Sequence, residues 1–369
     1  MKILIVEDLE VHKSNLFVKE LAMGLSKLNL EVIVDTDMFW FNDTTHFDVI
    51  HLQWPESIFK WRNPSDIELY YLQQRIDFWK KKSKIIYTRH NSLPHCKGVD
   101  NLLKLYQIIE KNSNAIIHLG AYSKEEIKDN NAIHTVIEHH VYDNTYTNTK
   151  ALTKEVARKK LNLKEKDVVF LAFGSFRTKQ ESRLITEAFS KINIPNKVLL
   201  APRLDVDIPY TYSKSLRYID KFIINKIKKI ATKDNRIISN GGNFIDDNEL
   251  PYYFAASDAV ILQRLNTLNS GNLSMAFWFG KTVIGPNSGN MNSLLKQTNN
   301  LIFNPNNLKS TIETLESISA LDLNQIGERN YDYALNKLTT EKIAGKIYEF
   351  YCNVLSSDLN FNKAKKNNE

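Results

Sequence analysis

Short apolar runs alternate with longer stretches whose apolar residues recur at helical spacing, and the pattern plays through twice. In the first half the runs read as strands at Ile3–Val6, Glu31–Val34, Asp48–Leu52, Lys84–Thr88, Ala115–His118 and Thr135–Glu138. Helical periodicity lies between them, near 13–28, 64–80, 100–111 and 123–129. Several runs are β-branched with no polar alternation, which suits a parallel sheet covered by helices on both faces. Around 141–155, "VYDNTYTNTKALTKE" loses the period and reads as a linker. The pattern then restarts, with strands expected at Val168–Phe173, Lys197–Ala201, Arg236–Ile238, Ala259–Leu262, Thr282–Gly285 and Leu301–Phe303. The expected class is α/β: two doubly wound Rossmann-like domains facing a cleft, spanning 1–145 and 146–338. A helix at 339–355 is expected to pack back on the first domain, and 356–369 reads as a disordered tail. Ligands in such sheets bind beyond the C-terminal strand ends, so chemistry is sought there.

The length of 369 residues agrees with two domains, because single cores stop growing near ~250–300 residues. No apolar run reaches the roughly 18–20 residues that cross a bilayer. The opening "MKILIV" is too short for a signal-peptide core and reads as a buried strand. Cys96 and Cys352 stand far apart, which leaves neither a disulfide framework nor a zinc cluster and fits a reducing cytoplasm. The net charge of +7 suits an anionic partner such as a nucleotide, a phosphorylated lipid, a membrane surface or a nucleic acid. Two segments concentrate that charge. Residues 59–84 interleave Trp61, Tyr70, Tyr71, Phe78 and Trp79 with Lys60, Arg62, Arg75 and Lys80–Lys82. Residues 214–233 form a basic amphipathic helix, either a solvated surface helix or a membrane-contact face.

The stretch "LNTLNSGNLSMAFWFGKTVIGPNSGNM", residues 265–291, sets small polar residues before an apolar helix. Asn269, Ser270, Gly271 and Asn272 would either cap that helix or leave its backbone N–H groups open to an anion. Upstream, "VVFLAFGSFRTKQESRLITEAF" places Gly174, Arg177 and Lys179 at the end of the second domain's first strand. Asp246–Asp247 reads as the capped start of a helix, and no DxD pair sits in a suitable loop, so no metal is expected. At the N-terminus, "MKILIVEDLE" resembles a response-regulator receiver. Its phosphate-accepting Asp would fall on Gln53, however, and a carboxamide cannot form an acyl phosphate.

The ordered series of segments resembles the GT-B glycosyltransferases, especially bacterial enzymes of exopolysaccharide and capsule biosynthesis. The residues that carry the likeness are Gly174, Arg177 and Lys179; Asp247, Leu250, Tyr253, Ala256 and Asp258; and Ser270, Gly271, Ala276, Gly280, Val283 and Ile284. In the first domain, "DVIHLQWPE", "IIYTRHNSLPH", "IIHLGAYSKEEI" and "TVIEHHVYDN" are similar to that group's acceptor-side and domain-closing segments. The resemblance implies transfer from a nucleotide-sugar donor to a lipid-linked or oligosaccharide acceptor, without a cofactor and without nucleic acid as partner. It also implies a cytoplasmic enzyme peripheral to the inner face of the cell membrane, held at an anionic surface. Gly174, Arg177, Lys179 and the turn Asn269–Asn272 would hold the donor diphosphate. Glu56, His90 and His95 would supply the catalytic base, with Glu56 equally able to open a helix and His90 to be structural. Asp8 would touch the acceptor and His139 the donor sugar. The pair of Glu that retaining members carry is replaced by Thr267 and Met275, which questions the retaining mechanism. "HLQWPE" and "HNSLPH" are similar to sequences associated with GDP-mannose. An epimerase or phosphorylase would fit the same scaffold.

Overall fold

The computed structural model describes residues 1–10, 16–94, 100–127, 131–204 and 236–366, with side chains through Ser357. The basic helix expected at 214–233 therefore lies outside the described residues. The chain divides into two compact units, one of residues 1–145 with 337–369 and one of residues 146–336.

The first unit holds a six-stranded parallel sheet: β1 (Lys2–Val6), β2 (Glu31–Val34), β3 (Val49–Leu52), β4 (Lys84–Arg89), β5 (Ala115–His118) and β6 (Ile133–Val136), in the order β2-β1-β3-β4-β5-β6. Strands β3 and β5 are buried along their whole length, which is why their sequences show no alternation. The second unit repeats the plan with β7 (Val168–Leu171), β8 (Lys197–Leu200), β9 (Ile237–Ile238), β10 (Ala259–Ile261), β11 (Thr282–Pro286) and β12 (Leu301–Phe303). Its order is β12-β11-β10-β7-β8-β9, again all parallel. Each sheet changes direction beside its first strand, between β1 and β3 and between β7 and β10. Those two switch points open the crevices where doubly wound sheets bind ligands.

Local chemistry fixes the helices between the strands. Helix Asp66–Lys80 starts in a capping box, with Ser65 N–H donating to Glu68 Oε2 at 2.8 Å, and it buries Trp79 against Phe39 and Phe47. Helix Thr36–Phe41 was not legible as a period; Asp35 caps it by accepting from Met38 N–H at 2.8 Å. The expected linker tightens at its end into helix Lys154–Lys160, capped by Thr153.

The last helix, Thr340–Lys366, belongs to the first unit. It continues past 355, through most of the segment expected to be a disordered tail. Gly24 on helix Leu16–Ser26 lies so close to it that a Cβ there would meet Thr340 Cγ2 at 2.7 Å and Ala344 Cβ at 3.0 Å. Thr340 Oγ1 donates to Glu20 Oε2 or Asp143 Oδ1, at 3.0 and 2.5 Å. Among the described residues no helix is long and apolar enough to cross a membrane.

Candidate active site

In the second unit the motif residues from distant segments meet at the switch point. Gly174, three residues beyond β7, is packed so tightly that an added Cβ would stand 2.4 Å from both Asn272 Nδ2 and Gln263 Nε2. The ends of these two side chains fill the space that a Cβ would take beside the strand end. Gln263, two residues beyond β10, is fully buried; its amide nitrogen donates to Ser175 O at 3.3 Å, and its Oε1 has no partner among the described residues. A buried amide oxygen left unpaired is costly, which marks this wall as one built to meet a ligand or water.

Asn272 lies in the first turn of helix Gly271–Trp278. Ser270 is its N-cap by position, but its side chain makes no capping hydrogen bond; Leu273 N–H turns back to Ser270 O at 3.1 Å, and the N–H groups of Gly271 and Asn272 stand at the end of the helix that favours an anion. The second glycine-rich turn explains how this end is held. Asn290 N–H donates to Leu268 O at 2.9 Å and Asn290 Nδ2 to Asn269 Oδ1 at 2.8 Å. Gly289, with φ of 52°, lies where a Cβ would meet the Thr267 and Leu268 carbonyls at 2.5 and 2.6 Å.

Arginines ring this crevice. Arg177 follows β7, Arg203 stands three residues beyond β8, and Arg264 three beyond β10. Glu181 organises two of them. It is buried at 4% exposure, accepts from the Arg177 and Thr178 backbone N–H groups at 2.7 and 3.2 Å, and pairs with Arg264 Nε at 3.1 Å. Loss of water lowers the pKa of all three guanidinium groups, and the charge of Arg177 lowers those of Arg203 and Arg264 further. Arg203 and Arg264 therefore each feel Arg177, and Arg177 and Arg264 share the buried Glu181 carboxylate. Arg203 Nε is buried with no partner among the described residues. The result is a positive site with unspent donors, suited to a polyphosphate. The sequence reading named Arg177 and Lys179 and did not name Arg203, Arg264 and Gln263, which the structure sets beyond neighbouring strand ends. The signal that would have found them is their spacing, two or three residues past a strand end. Lys179 is the first residue of helix Lys179–Lys191 and half-buried.

Asp246–Asp247 does not cap a helix. Helix Leu250–Ala256 has Glu249 at its N-cap without a side-chain bond; Asp246 accepts from Asn248 N–H, and Asp247 accepts from the Tyr146 hydroxyl at 2.9 Å. Thr267, where retaining enzymes carry a Glu, donates to Asn269 O, and Met275 is buried.

In the first unit, Glu7 occupies the switch point directly after β1. It is 2% exposed, and Oε2 has no partner among the described residues. Burial raises its pKa to about 7, helped by the charges of Asp8 and Glu56 and opposed by the Asp8 N–H and the Trp61 indole. The sequence reading passed over this residue for its neighbour Asp8, whose carboxylate stands 3.7 Å from Lys60 Nζ.

Glu56, in the 3-10 turn Pro55–Phe59, is buried, and both its oxygens lie within reach of the Tyr106 hydroxyl, at 3.0 and 2.9 Å. His90 is also buried. Its ring stacks on Trp54 at 3.8 Å, and Nε2 donates to Gln53 Oε1 at 2.9 Å. The chain of bonds continues inward. With this amide orientation Gln53 and Thr88 donate to His51 Nε2, and His51 Nδ1–H donates to the Tyr351 hydroxyl of the last helix at 2.6 Å. Burial lowers the His51 pKa to about 3, so that ring stays neutral. Gln53 is thus a buried link in the framework. His139 turns Nδ1 to the His140 carbonyl at 2.6 Å. His95 lies outside the described residues. Among the described residues no group of three or more His, Cys, Asp or Glu is placed to hold a metal ion.

No protein-family model matches this sequence, and no curated protein matches it. Solved structures do. A sucrose-phosphate synthase from Thermosynechococcus elongatus superposes with a TM-score of 0.71 at 15% identity, over 96% of this chain and 99% of that one. A glycosyltransferase from Rickettsia africae gives 0.66 at 15% identity, over 96% and 98%. Anabaena HepE, in complex with UDP and glucose, gives 0.66 at 14% identity, over 96% and 100%. At this identity the likeness is one of fold. The fold is GT-B: two parallel six-stranded sheets flanked by helices, as in glycosyltransferases.

Proposed function

We propose that this chain is a glycosyltransferase that moves a sugar from a nucleoside-diphosphate donor to an acceptor hydroxyl in cell-surface polysaccharide or glycolipid assembly. The observation that carries the reading is the convergence of Gly174, Gln263, Asn272, Arg177, Arg203 and Arg264 at the switch point of the second unit. A diphosphate leaving group gathers negative charge as the glycosidic bond breaks. The arginines and the uncapped N–H groups of helix Gly271–Trp278 meet that charge with donors already in place, so the account needs no metal ion.

Glu7 is the base in this account. A carboxyl with a pKa of about 7 is ionised in half the molecules near neutrality and accepts the acceptor proton well there. His90 is the second choice, because its ring follows the end of β4 directly and is fixed there by Trp54 and Gln53.

For the donor, the "HLQWPE" and "HNSLPH" segments favour GDP-mannose, and a UDP-sugar is the second reading, since a structure of this fold holds UDP and glucose. Contact with an anionic membrane through helix Asp66–Lys80 is part of the proposal, because Ile67, Tyr70 and Lys80 are exposed along it. A panel of nucleotide sugars, scored by release of the nucleoside diphosphate with and without acceptor, tests the whole. Release that requires an acceptor supports a transferase. Conversion of the donor without an acceptor favours an epimerase, and absence of turnover across the panel contradicts both.

A further inference from the structure

The first unit contains a cavity of about 620 Å³ that the reading above leaves unused, within the ~300–1,000 Å³ range of small-molecule sites. Five aromatic rings wall it: Trp40, Phe41, Phe59, Tyr71 and Phe78. Phe41 is 80% exposed and Tyr71 53%, and they stand together with three further rings in one concave patch, the arrangement that marks a ligand surface. Between the rings stand planar or long polar side chains, and each cation among them already faces an acid. Lys60 Nζ is 3.1 Å from Asp37 Oδ1, Arg62 is paired with Glu68, and Arg75 Nη1 is 2.8 Å from Asp43 Oδ1.

That pairing selects the ligand. An anion would have to displace Asp37 or Glu68, and so gains little. A hydrocarbon chain would strip water from the ion pairs without replacing it. A neutral polyol satisfies both kinds of wall: its C–H faces lie on the negative faces of the rings, and its hydroxyls donate to carboxylates and accept from Lys60, Arg62 or Arg75.

Backbone strain points to the same place. Lys60 and Trp61 are consecutive non-glycine residues in the left-handed region, with φ of 50° and 65°. This turn sets Lys60 at the groove wall, where its ammonium spans Asp37 and Asp8, and Asp8 adjoins Glu7. Lys60 thus ties the groove wall to Asp8, the neighbour in sequence of the carboxyl group at the end of β1.

We infer that this groove binds an extended neutral saccharide, and that the acceptor lies along it with its terminal hydroxyl toward Glu7. The word acceptor rests on the transferase reading; saccharide binding by itself does not. Saturation-transfer NMR on the full-length protein with maltotriose, cellotriose, mannotriose and chitotriose tests it, with dodecyl phosphate as the hydrocarbon probe. At least one trisaccharide should bind, and Phe41→Ala and Tyr71→Ala should each weaken it by about tenfold, the loss of one stacked ring. Phe41→Trp should restore binding, and melting curves of the variants should match wild type, because both side chains are exposed. The inference is overturned if no trisaccharide binds, if the alanine variants bind as wild type does, or if dodecyl phosphate alone binds and is lost in the same variants. Nucleoside-diphosphate binding by the wild type is scored separately. Saccharide binding without it sustains the groove and removes the transferase reading, and the reverse result does the opposite.

Discussion

Glu7 keeps its proton to about pH 7 in the folded chain, against 4.5 for an ordinary glutamate. The rate of transfer should therefore rise with pH through about 7 as the carboxylate forms. Stability should move the other way. Between about pH 4.5 and 7 the folded state binds more protons than the unfolded one, so the Glu7 contribution is full below 4.5 and lost as pH rises through 7. Glu7→Gln should remove the rising limb, lower kcat by about 10²–10⁴-fold, and flatten this part of the stability profile. A pH–rate profile beside pH-dependent melting checks it, and an unchanged limb would return the role to His90. The two arginines facing Glu181 should separate cleanly. Arg177→Ala should cut donor turnover by about 10²–10³-fold with the melting temperature kept, because the residue as a whole is exposed and its bond to Glu181 is from the backbone N–H, which alanine retains. Arg264→Ala should also destabilise by about 1.5–3 kcal/mol, because it takes a charged hydrogen bond from a buried carboxylate. Denaturant unfolding of the two variants distinguishes them. These residues also show where the sequence runs out. Continuous burial along β1 removes the alternation that would have shown Glu7, rather than Asp8, turned inward, and Arg203 and Arg264 look like ordinary surface charges until three strand ends are placed side by side.

At the scale of elements, the helix Gly271–Trp278 is aimed by the turn behind it. Gly289→Ala forces a Cβ onto two carbonyl oxygens and holds a positive φ, so the turn must shift. The expected cost is about 1–3 kcal/mol, with weaker nucleotide binding, measured by unfolding and by titration. Gly174→Ala is different, because its clashes are with the ends of two flexible side chains. The sequence pattern located the twelve strands of the described residues, since buried parallel strands are continuous apolar runs. Its errors fall where burial is partial: β6 lies two residues earlier than expected, on a strand with both ends exposed. Helix Thr36–Phe41 escaped because six residues cannot show a 3.6-residue period, and the role of the last helix, joined to His51 through Tyr351, depends on contacts 300 residues apart in sequence.

For the whole molecule, charge is the property that reaches furthest. The net charge of +7 and the exposed Lys80 and Lys81 predict binding to anionic vesicles at low salt and release near 1 M, where screening reaches only ~3 Å. Lys82 should contribute less, because it lies over the Phe78 ring at 3.8 Å and donates to Asp43 O. Flotation of wild type against Lys80→Gln with Lys81→Gln checks this, and equal flotation would remove the helix as the anchor. The GT-B fold was legible from the order of the motifs, whereas the donor was not, because base and sugar are read by side chains that no strand pattern orients. The central claim, that the crevice at β7 and β10 holds a nucleoside diphosphate, is tested most directly by thermal unfolding with UDP, GDP, ADP and CDP. Ligand at 100 times its Kd adds about 2.7 kcal/mol to the folded state. The account predicts that at least one of the four raises the melting temperature of the wild type and that Arg177→Ala loses most of the shift. No shift with any of them, or an equal shift in the variant, would contradict it.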